Sequence, residues 1–242
     1  MKLEIKNVSL SINRKLIVNN VSMHVSPGEI VGLLGPNGAG KTSTFNLIVG
    51  NLRPNKGEIL LNNKRINNLS LPQRSKLGLG YLSQEPSVFR DLTVKDNINL
   101  ALENSGLSKS IIRSRREKIV NEFNLNKFID NYGYQLSGGE RRRCEIARAL
   151  SVGQNGPKYL LLDEPFAGID PLAVNDLKKL IFKLSKNGVG ILITDHNVRE
   201  TLSITHKSFV LCEGKILASG LSSEVAKNEI VKEFYLGYEF KF

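Results

Sequence analysis

An apolar run that ends in a glycine-rich turn constrains this chain more than any other feature. Glu29-Ile30-Val31-Gly32-Leu33-Leu34 is nearly continuously apolar, as a strand buried on both faces must be. It leads straight into Gly35-Pro36-Asn37-Gly38-Ala39-Gly40-Lys41-Thr42, followed by Ser43, and this fits the P-loop pattern G-x-x-x-x-G-K-[ST]. Helical spacing begins at about Lys41 and runs to Val49. A buried strand, a glycine turn and a helix in that order call for a parallel sheet with helices on its faces. The glycines let backbone N–H groups turn inward around phosphate oxygens, and the helix adds its positive dipole end. Lys41 is placed to reach the β- and γ-phosphates, and the Thr42 hydroxyl is placed to ligate Mg²⁺. The whole segment Gly35 to Ser43 is therefore expected to cradle a nucleoside triphosphate.

A second apolar strand, Leu160-Leu161-Leu162, ends in Asp163-Glu164. Ligands of parallel sheets bind at the carboxyl ends of the strands, so both carboxylates should arrive near the P-loop. Asp163 suits the Mg²⁺ shell, and Glu164 is placed to polarise a water for in-line attack on the γ-phosphate. Leu136-Ser137-Gly138-Gly139-Glu140 opens a helix. Ser137 is a good N-cap and Glu140 a good first-turn residue, which alone would explain the segment as helix punctuation. The functional reading makes it a second anion-binding helix N-terminus, with Ser137, Gly138 and Gly139 touching phosphate. Arg141, Arg142 and Arg143 point in three directions around that helix and are expected to be mostly a solvated face.

The remainder fits a parallel-sheet core interrupted by a helical insert. Short alternating strands are expected at Leu3–Lys6 and Val21–Val25, with others at Gly57–Leu61, Tyr159–Leu162 and Val189–Ile193. The pattern turns helical from Leu92 to about Val152 and again from Ala173 to Leu184, and the end reads as a strand, a turn, a helix and an aromatic-rich tail. Lys and Arg exceed Asp and Glu by 34 to 23, a net charge of +11, but the basic residues are spread along the chain. No specific nucleic-acid ligand is expected from charge so dispersed. Cys144 and Cys212 stand alone, without metal-ligand spacing, which suits a reducing compartment. Neither a signal peptide nor a spanning stretch of ~20 apolar residues is expected.

The order of these motifs resembles the ATP-binding-cassette family over the whole chain. The resemblance implies an ATPase with an α/β P-loop NTPase (RecA-like) core, an antiparallel β part at the N-terminus and a helical subdomain. Within a single domain spanning 1–242, the core would cover about 1–90 and 153–225, the helical subdomain about 91–152 and the tail about 226–242. Gln84 in Tyr81-Leu82-Ser83-Gln84-Glu85 matches the family's Q-loop, implied to touch Mg²⁺ and the membrane part. Ala167-Gly168-Ile169-Asp170 matches the D-loop, and His196 in Ile193-Thr194-Asp195-His196-Asn197 matches the histidine implied to contact the γ-phosphate. The implied partners are a second copy, whose Ser137 and Gly139 would close on ATP in trans, and two membrane-spanning subunits docking near Gln84 to Arg90. Contact with the membrane would be indirect, at the cytoplasmic face of a bacterial inner membrane.

Within the family, several segments resemble the branch that powers lipopolysaccharide export: Gly80 to Arg90, Asp163 to Pro171, Leu192 to Leu202 and the ending Tyr235-Leu236-Gly237-Tyr238-Glu239-Phe240. Branched-chain amino-acid importer ATPases look related but lack that ending, and they are the alternative. Cassette proteins acting on nucleic acid usually carry a long coiled-coil insert or two cassettes, and this chain has neither. Two departures stand out. Many family members stack adenine on an aromatic where this chain has Ile12, and Gly153-Gln154-Asn155-Gly156 resembles a small insertion, expected to be a surface loop.

Overall fold

The computed structural model describes residues 1–240, so positions 241 and 242 of the expected tail lie outside the described residues. Ten strands are present among them: β1 Leu3–Ile12, β2 Lys15–Val25, β3 Ile30–Leu34, β4 Lys56–Leu61, β5 Lys64–Arg65, β6 Leu79–Leu82, β7 Tyr159–Asp163, β8 Gly190–Thr194, β9 Lys207–Cys212 and β10 Lys215–Leu221. The main helices are α1 Lys41–Val49, α2 Leu71–Lys76, α3 Val94–Asn104, α4 Lys109–Glu122, α5 Gly138–Leu150, α6 Pro171–Lys186 and α7 Val198–Ile204. Short helical turns at Ser222–Val225, Glu229–Val231 and Lys232–Leu236 close the described chain.

The strands form two sheets. One is antiparallel, in the order β2-β1-β4-β5; the other has the order β10-β9-β3-β8-β7-β6 and is parallel except where β10 joins β9. Parallel strands need helical crossovers that cover both faces, which is why β3, β7 and β8 are buried along their whole length. One apolar cluster joins the antiparallel sheet to α1 and one face of the parallel sheet, through Ile5, Val21, Phe45, Ile59 and Leu161. A second joins the other face to the helices through Ile98, Val120, Leu125, Cys144, Ile146, Leu162 and Ile181. A third seats the tail residues Tyr235, Leu236 and Phe240 against Leu34, Leu202 and Val210.

Several expectations need revision. The N-terminal strands are a long hairpin rather than short pieces, because apolar side chains recur on one face from Leu3 through Leu10. Strand β9 had no counterpart in the expected elements, although Phe209-Val210-Leu211-Cys212 is an apolar run and the strand pairs directly with the P-loop strand β3. The segment Gly153 to Gly156 does more than loop over the surface. Gln154 and Asn155 are exposed, but the Arg115 guanidinium of α4 donates to the carbonyls of Val152, Gly153 and Gln154, at 2.7 Å to Gly153.

Helix α1, which carries the P-loop, is fixed at its C-terminal end by a buried arginine. Arg74 on α2 is 1% exposed and donates to the carbonyl oxygens of Leu47 (2.7 Å), Ile48 (2.6 Å), Leu69 (2.9 Å) and Asn67 (3.2 Å). Among the described residues it has no carboxylate partner; it satisfies two carbonyls at the end of α1 and two in the loop before α2, and burial pushes its pKa down to about 10. Arg74→Met should strand these carbonyls at ~1–3 kcal/mol for each one left unsatisfied. A thermal melt should show a fall of at least ~4 °C, with Arg74→Lys between the two because an ammonium cannot reproduce the fork. An unchanged melting point for the Met variant would contradict this role.

Candidate active site

The carboxyl ends of β3, β6, β7 and β8 lie side by side in the parallel sheet, and every motif residue expected of the core leaves from one of them. Strand β3 delivers Gly35. A Cβ there would lie 2.0 Å from the carbonyl oxygen of Leu211 on β9, and at Gly40 it would lie 2.8 Å from that of Ile17. Both positions also have positive φ, +145° and +102°, so the turn needs glycine on two counts. At Gly38 nothing crowds the backbone, and Asn37 and Gly38 face solvent where a ligand would enter.

The lysine at the head of α1 is held ready. Lys41 is only 8% exposed, and its ammonium donates to the carbonyl oxygens of Gly35 (2.7 Å) and Pro36 (3.0 Å). Burial lowers its pKa, while the Glu164 and Asp163 carboxylates act in the opposite direction. Thr42 is exposed at the first helical turn. Thr44 instead turns its hydroxyl back to the carbonyl of Gly40 at 2.9 Å.

Strand β7 delivers the two carboxylates into different surroundings. Asp163 is 1% exposed, and neither carboxylate oxygen has a hydrogen-bond partner among the described residues. Burial raises its pKa to about 6, reinforced by Glu164 and opposed by Lys41 and Arg142. A buried carboxylate with both oxygens free, separated from the P-loop strand β3 by β8 alone, is the donor that a hard divalent cation requires. The residues therefore fit Mg²⁺, with Asp163 and Thr42 as the groups that would hold it.

Glu164 has a left-handed backbone, with φ of +50°. That conformation costs a non-glycine residue ~1–3 kcal/mol and persists only where the surroundings enforce it. Here the Glu164 N–H donates to the Thr194 carbonyl at 2.8 Å, and its own carbonyl accepts from Arg142 at 2.7 Å. The turn places its carboxylate between two groups from neighbouring strand ends. His196 Nε2 lies 2.8 Å from Oε1, and Gln84 Nε2 donates to Oε2 at 2.9 Å. Three expected site residues, from three loops, thus meet on one carboxylate.

Arg142 corrects the expectation of a solvated face. Arg143 is exposed, but Arg142 is 7% exposed and points back into the sheet. Its guanidinium donates to the carbonyls of Asp163 (3.3 Å), Glu164 (2.7 Å), Pro165 (3.3 Å) and Ser83 (3.1 Å), and pairs with Glu145 at 3.2 Å. Glu145 in turn accepts from the N–H groups of Ser87 and Val88. Helix α5 therefore binds the Asp163–Pro165 turn to the segment after Gln84. Its N-terminus is built as expected: Ser137 N–H donates to Glu140 at 2.9 Å and Ser137 Oγ accepts from Glu140 N–H at 3.4 Å. Within a single chain Ser137 and Gly138 are exposed and make no recorded contact with the P-loop.

Two further residues were not singled out from sequence. Asp195 is buried, and its carboxylate accepts from the N–H groups of Phe166 and Asn197, both at 2.9 Å, which fixes the loop carrying His196. Tyr235, in the tail that seemed separate from the catalytic motifs, lies against the Gly35 backbone, and burial raises its pKa. Its place in the tail resemblance was the only available signal.

Asp163 also generates a pH prediction. Its folded pKa lies above the ordinary carboxylate value, so it favours the folded state most at low pH, and that contribution is lost as pH rises through about 6. At about pH 7.5 the buried charge costs at most ~3 kcal/mol. Nucleotide-free Asp163→Asn should therefore melt a few degrees above the parent chain at that pH, with the gap shrinking toward about pH 5. A lower melting point for the Asn variant at neutral pH would show that the carboxylate is already compensated.

Comparison with known proteins agrees with this geometry. The family model described as ABC transporter matches residues 18–167. The lipopolysaccharide export system ATP-binding protein LptB of Acidithiobacillus ferridurans is 47% identical, covering 99% of this chain and 98% of that protein. The protein of the same name from Escherichia coli K12 is 45% identical, covering 98% and 97%. Among solved structures, a nucleotide-free ATP-binding cassette from an ABC transporter superposes with a TM-score of 0.86 at 27% identity, over 98% of this chain and 100% of the other. A dimeric bacterial ABC transporter cassette gives 0.80 at 25% identity, over 91% and 98%. With the P-loop, the paired carboxylates and the convergent histidine and glutamine in place, the chain belongs to the ABC transporter ATP-binding family and is an ATPase.

Proposed function

We propose that this chain hydrolyses Mg²⁺-ATP as the peripheral subunit that powers lipopolysaccharide export, working as a homodimer beneath two membrane-spanning subunits at the cytoplasmic face of a bacterial inner membrane. The observation that carries the hydrolytic part is the Glu164 carboxylate, oriented by His196 and Gln84 beside a buried, unpartnered Asp163. The cargo is supported by the near full-length likeness to export ATP-binding proteins. No helix among the described residues is long and apolar enough to cross a membrane, and in this reading two separate subunits supply the membrane-spanning part.

In this reading the Gly35–Ser43 turn and the Lys41 ammonium bind the phosphates, Lys41 exchanging its carbonyl acceptors for phosphate oxygens. Mg²⁺, when bound, neutralises charge on the β- and γ-phosphates. Glu164 accepts a proton from the attacking water as its oxygen bonds to the γ-phosphorus and the bond to ADP breaks. His196 keeps the carboxylate aimed and, being more than half exposed, is free to reach the γ-phosphate. Gln84 reports the state of the site to the segment that follows it. Ser137, Gly138 and Gly139 act from the second copy, a role that suits the exposure of Ser137 and Gly138 in one chain.

The docking surface is a groove of about 650 Å³ lined by Leu71, Pro72, Tyr81, Phe89, Leu100 and Arg148. Phe89 is 46% exposed with the Arg148 guanidinium 4.9 Å from its ring centroid, so it forms a wall of the groove rather than part of the core. Arg90 is exposed beside it. A short helix from a membrane subunit would bury an apolar anchor there.

Two outcomes follow. Glu164→Gln keeps the size and one acceptor oxygen but removes the base; ATP binding should persist, turnover should fall by at least ~10²-fold, and an ATP-bound dimer should accumulate on size-exclusion chromatography. Turnover like that of the parent chain would remove Glu164 from the mechanism. Phe89→Ala should cost more than ~2 kcal/mol of docking and release the membrane subunits on co-purification, while the isolated subunit keeps its melting point and ATP binding. Unchanged complex formation would refute the groove.

A further inference from the structure

The hairpin of β1 and β2 beside the P-loop carries no Phe, Tyr or Trp to stack on a nucleobase, and its one imidazole, His24, is half-buried. The first such residue of the chain is Phe45, inside α1 and fully buried, and Ile12 at the hairpin tip is 41% exposed. Exposed rings stand instead just before the α5 N-terminus. Tyr132 and Tyr134 are 44% and 53% exposed, and their rings stack with centroids 5.5 Å apart and planes 11° from parallel. Each ring uses one face on the other and leaves its second face uncovered by its partner.

The backbone beneath them is held firmly. Tyr132 N–H donates to Gln135 Oε1 at 2.7 Å, Gly133 N–H to the Leu92 carbonyl at 2.9 Å, and Tyr134 N–H to the Arg90 carbonyl at 3.1 Å. At Gly133 a Cβ would lie 2.6 Å from the Phe89 carbonyl, so the chain is pressed against the segment behind it. Two large apolar rings on a fixed turn form a stacking platform with little conformational entropy left to lose. Tyr134 stands three residues before Ser137, the N-cap of the helix whose N–H groups are proposed above to meet phosphate. Three residues span at most ~10 Å, about the reach from the terminal phosphate of an extended nucleoside triphosphate to its base.

We propose that the Tyr132–Tyr134 pair is a nucleobase platform acting in trans: the rings of one copy stack on the base of the ATP whose phosphates lie on the P-loop of the second copy. This rests on the homodimer reading above and adds the base to the phosphate contacts of Ser137. Stacking accepts any base, so the platform selects for the presence of a base more than for its identity. It also ties base recognition to dimer closure rather than to first capture of nucleotide.

The test uses the full-length chain in the Glu164→Gln background. Adding Tyr132→Ala and Tyr134→Ala should leave ATP affinity under non-dimerising, dilute conditions unchanged and weaken ATP-driven dimerisation by roughly 5- to 150-fold for each of the two bound bases. Tyr134→Phe should restore dimerisation. Dimerisation driven by ribose-5-triphosphate, which lacks a base, should be the same with and without the tyrosines. The chain has no tryptophan, so Tyr134→Trp supplies a single reporter. Combined with Lys41→Ala and mixed with a Glu164→Gln partner, its emission should be quenched only when ATP sits on the partner. Equal ATP-driven dimerisation with and without the tyrosines, or an unquenched tryptophan in a formed dimer, overturns the platform. Normal dimerisation with loss of the membrane subunits on co-purification overturns it in favour of a docking role for the rings. Absence of any ATP-driven dimer in the Glu164→Gln background overturns the dimer reading and the platform with it.

Discussion

One buried guanidinium holds together the parts on which the chemistry depends. Arg142 reaches from α5 to the carbonyls of Asp163, Glu164 and Pro165 and to that of Ser83, and spends its remaining capacity on Glu145. A cation so deeply desolvated is tolerable only with most of its donors occupied, so the clamp is effectively all-or-none. Its other acceptors are backbone oxygens from two strand ends, which makes the helix a common support for the Asp163–Pro165 turn and for the segment leading to Phe89. The same helix begins at Ser137. The part that would meet a second copy, the part that would meet a membrane subunit and the part that would activate water are therefore joined by one rigid element.

The two carboxylates at the end of β7 show how adjacent acids are given different work. Asp163 sits in a dry pocket without hydrogen bonds, which raises its proton affinity and prepares it for a cation. Glu164 is one residue farther on but is turned by its left-handed backbone toward an imidazole and an amide. The division comes from local geometry, since the strand alternation of Leu161, Leu162, Asp163 and Glu164 does not by itself separate the roles.

Most of the site was legible in sequence because its residues sit at forced positions. The P-loop glycines mark close approaches of backbone to Leu211 and Ile17 that no side chain permits, and the Ser137–Glu140 pair marks a helix start. Strand β3 was legible for the same reason, being buried on both faces. What sequence did not disclose depends on tertiary context. Three successive arginines on a helix read as a solvated stripe, and only the packing of α5 against β6 and β7 decides that the middle one turns inward. Strand β9 was missed although its apolar run is as strong as that of β3, because no motif followed it. Tyr235 lies two hundred residues from Gly35 along the chain, and only the third apolar cluster brings the two together.

The left-handed backbone at Glu164 has an evolutionary corollary. Its strain is present in the folded chain whether or not nucleotide is bound, so it weighs on stability continuously and on turnover only in passing. Glycine and asparagine adopt that conformation with less strain than glutamate. In a lineage selected for heat resistance alone, position 164 would drift toward those residues, and the fold would outlast its activity. On the role proposed for Glu164, a glutamate kept at this position would reflect selection for catalysis against the preference of the backbone, and relatives that carry glycine or asparagine there would be candidates for cassettes retired from hydrolysis.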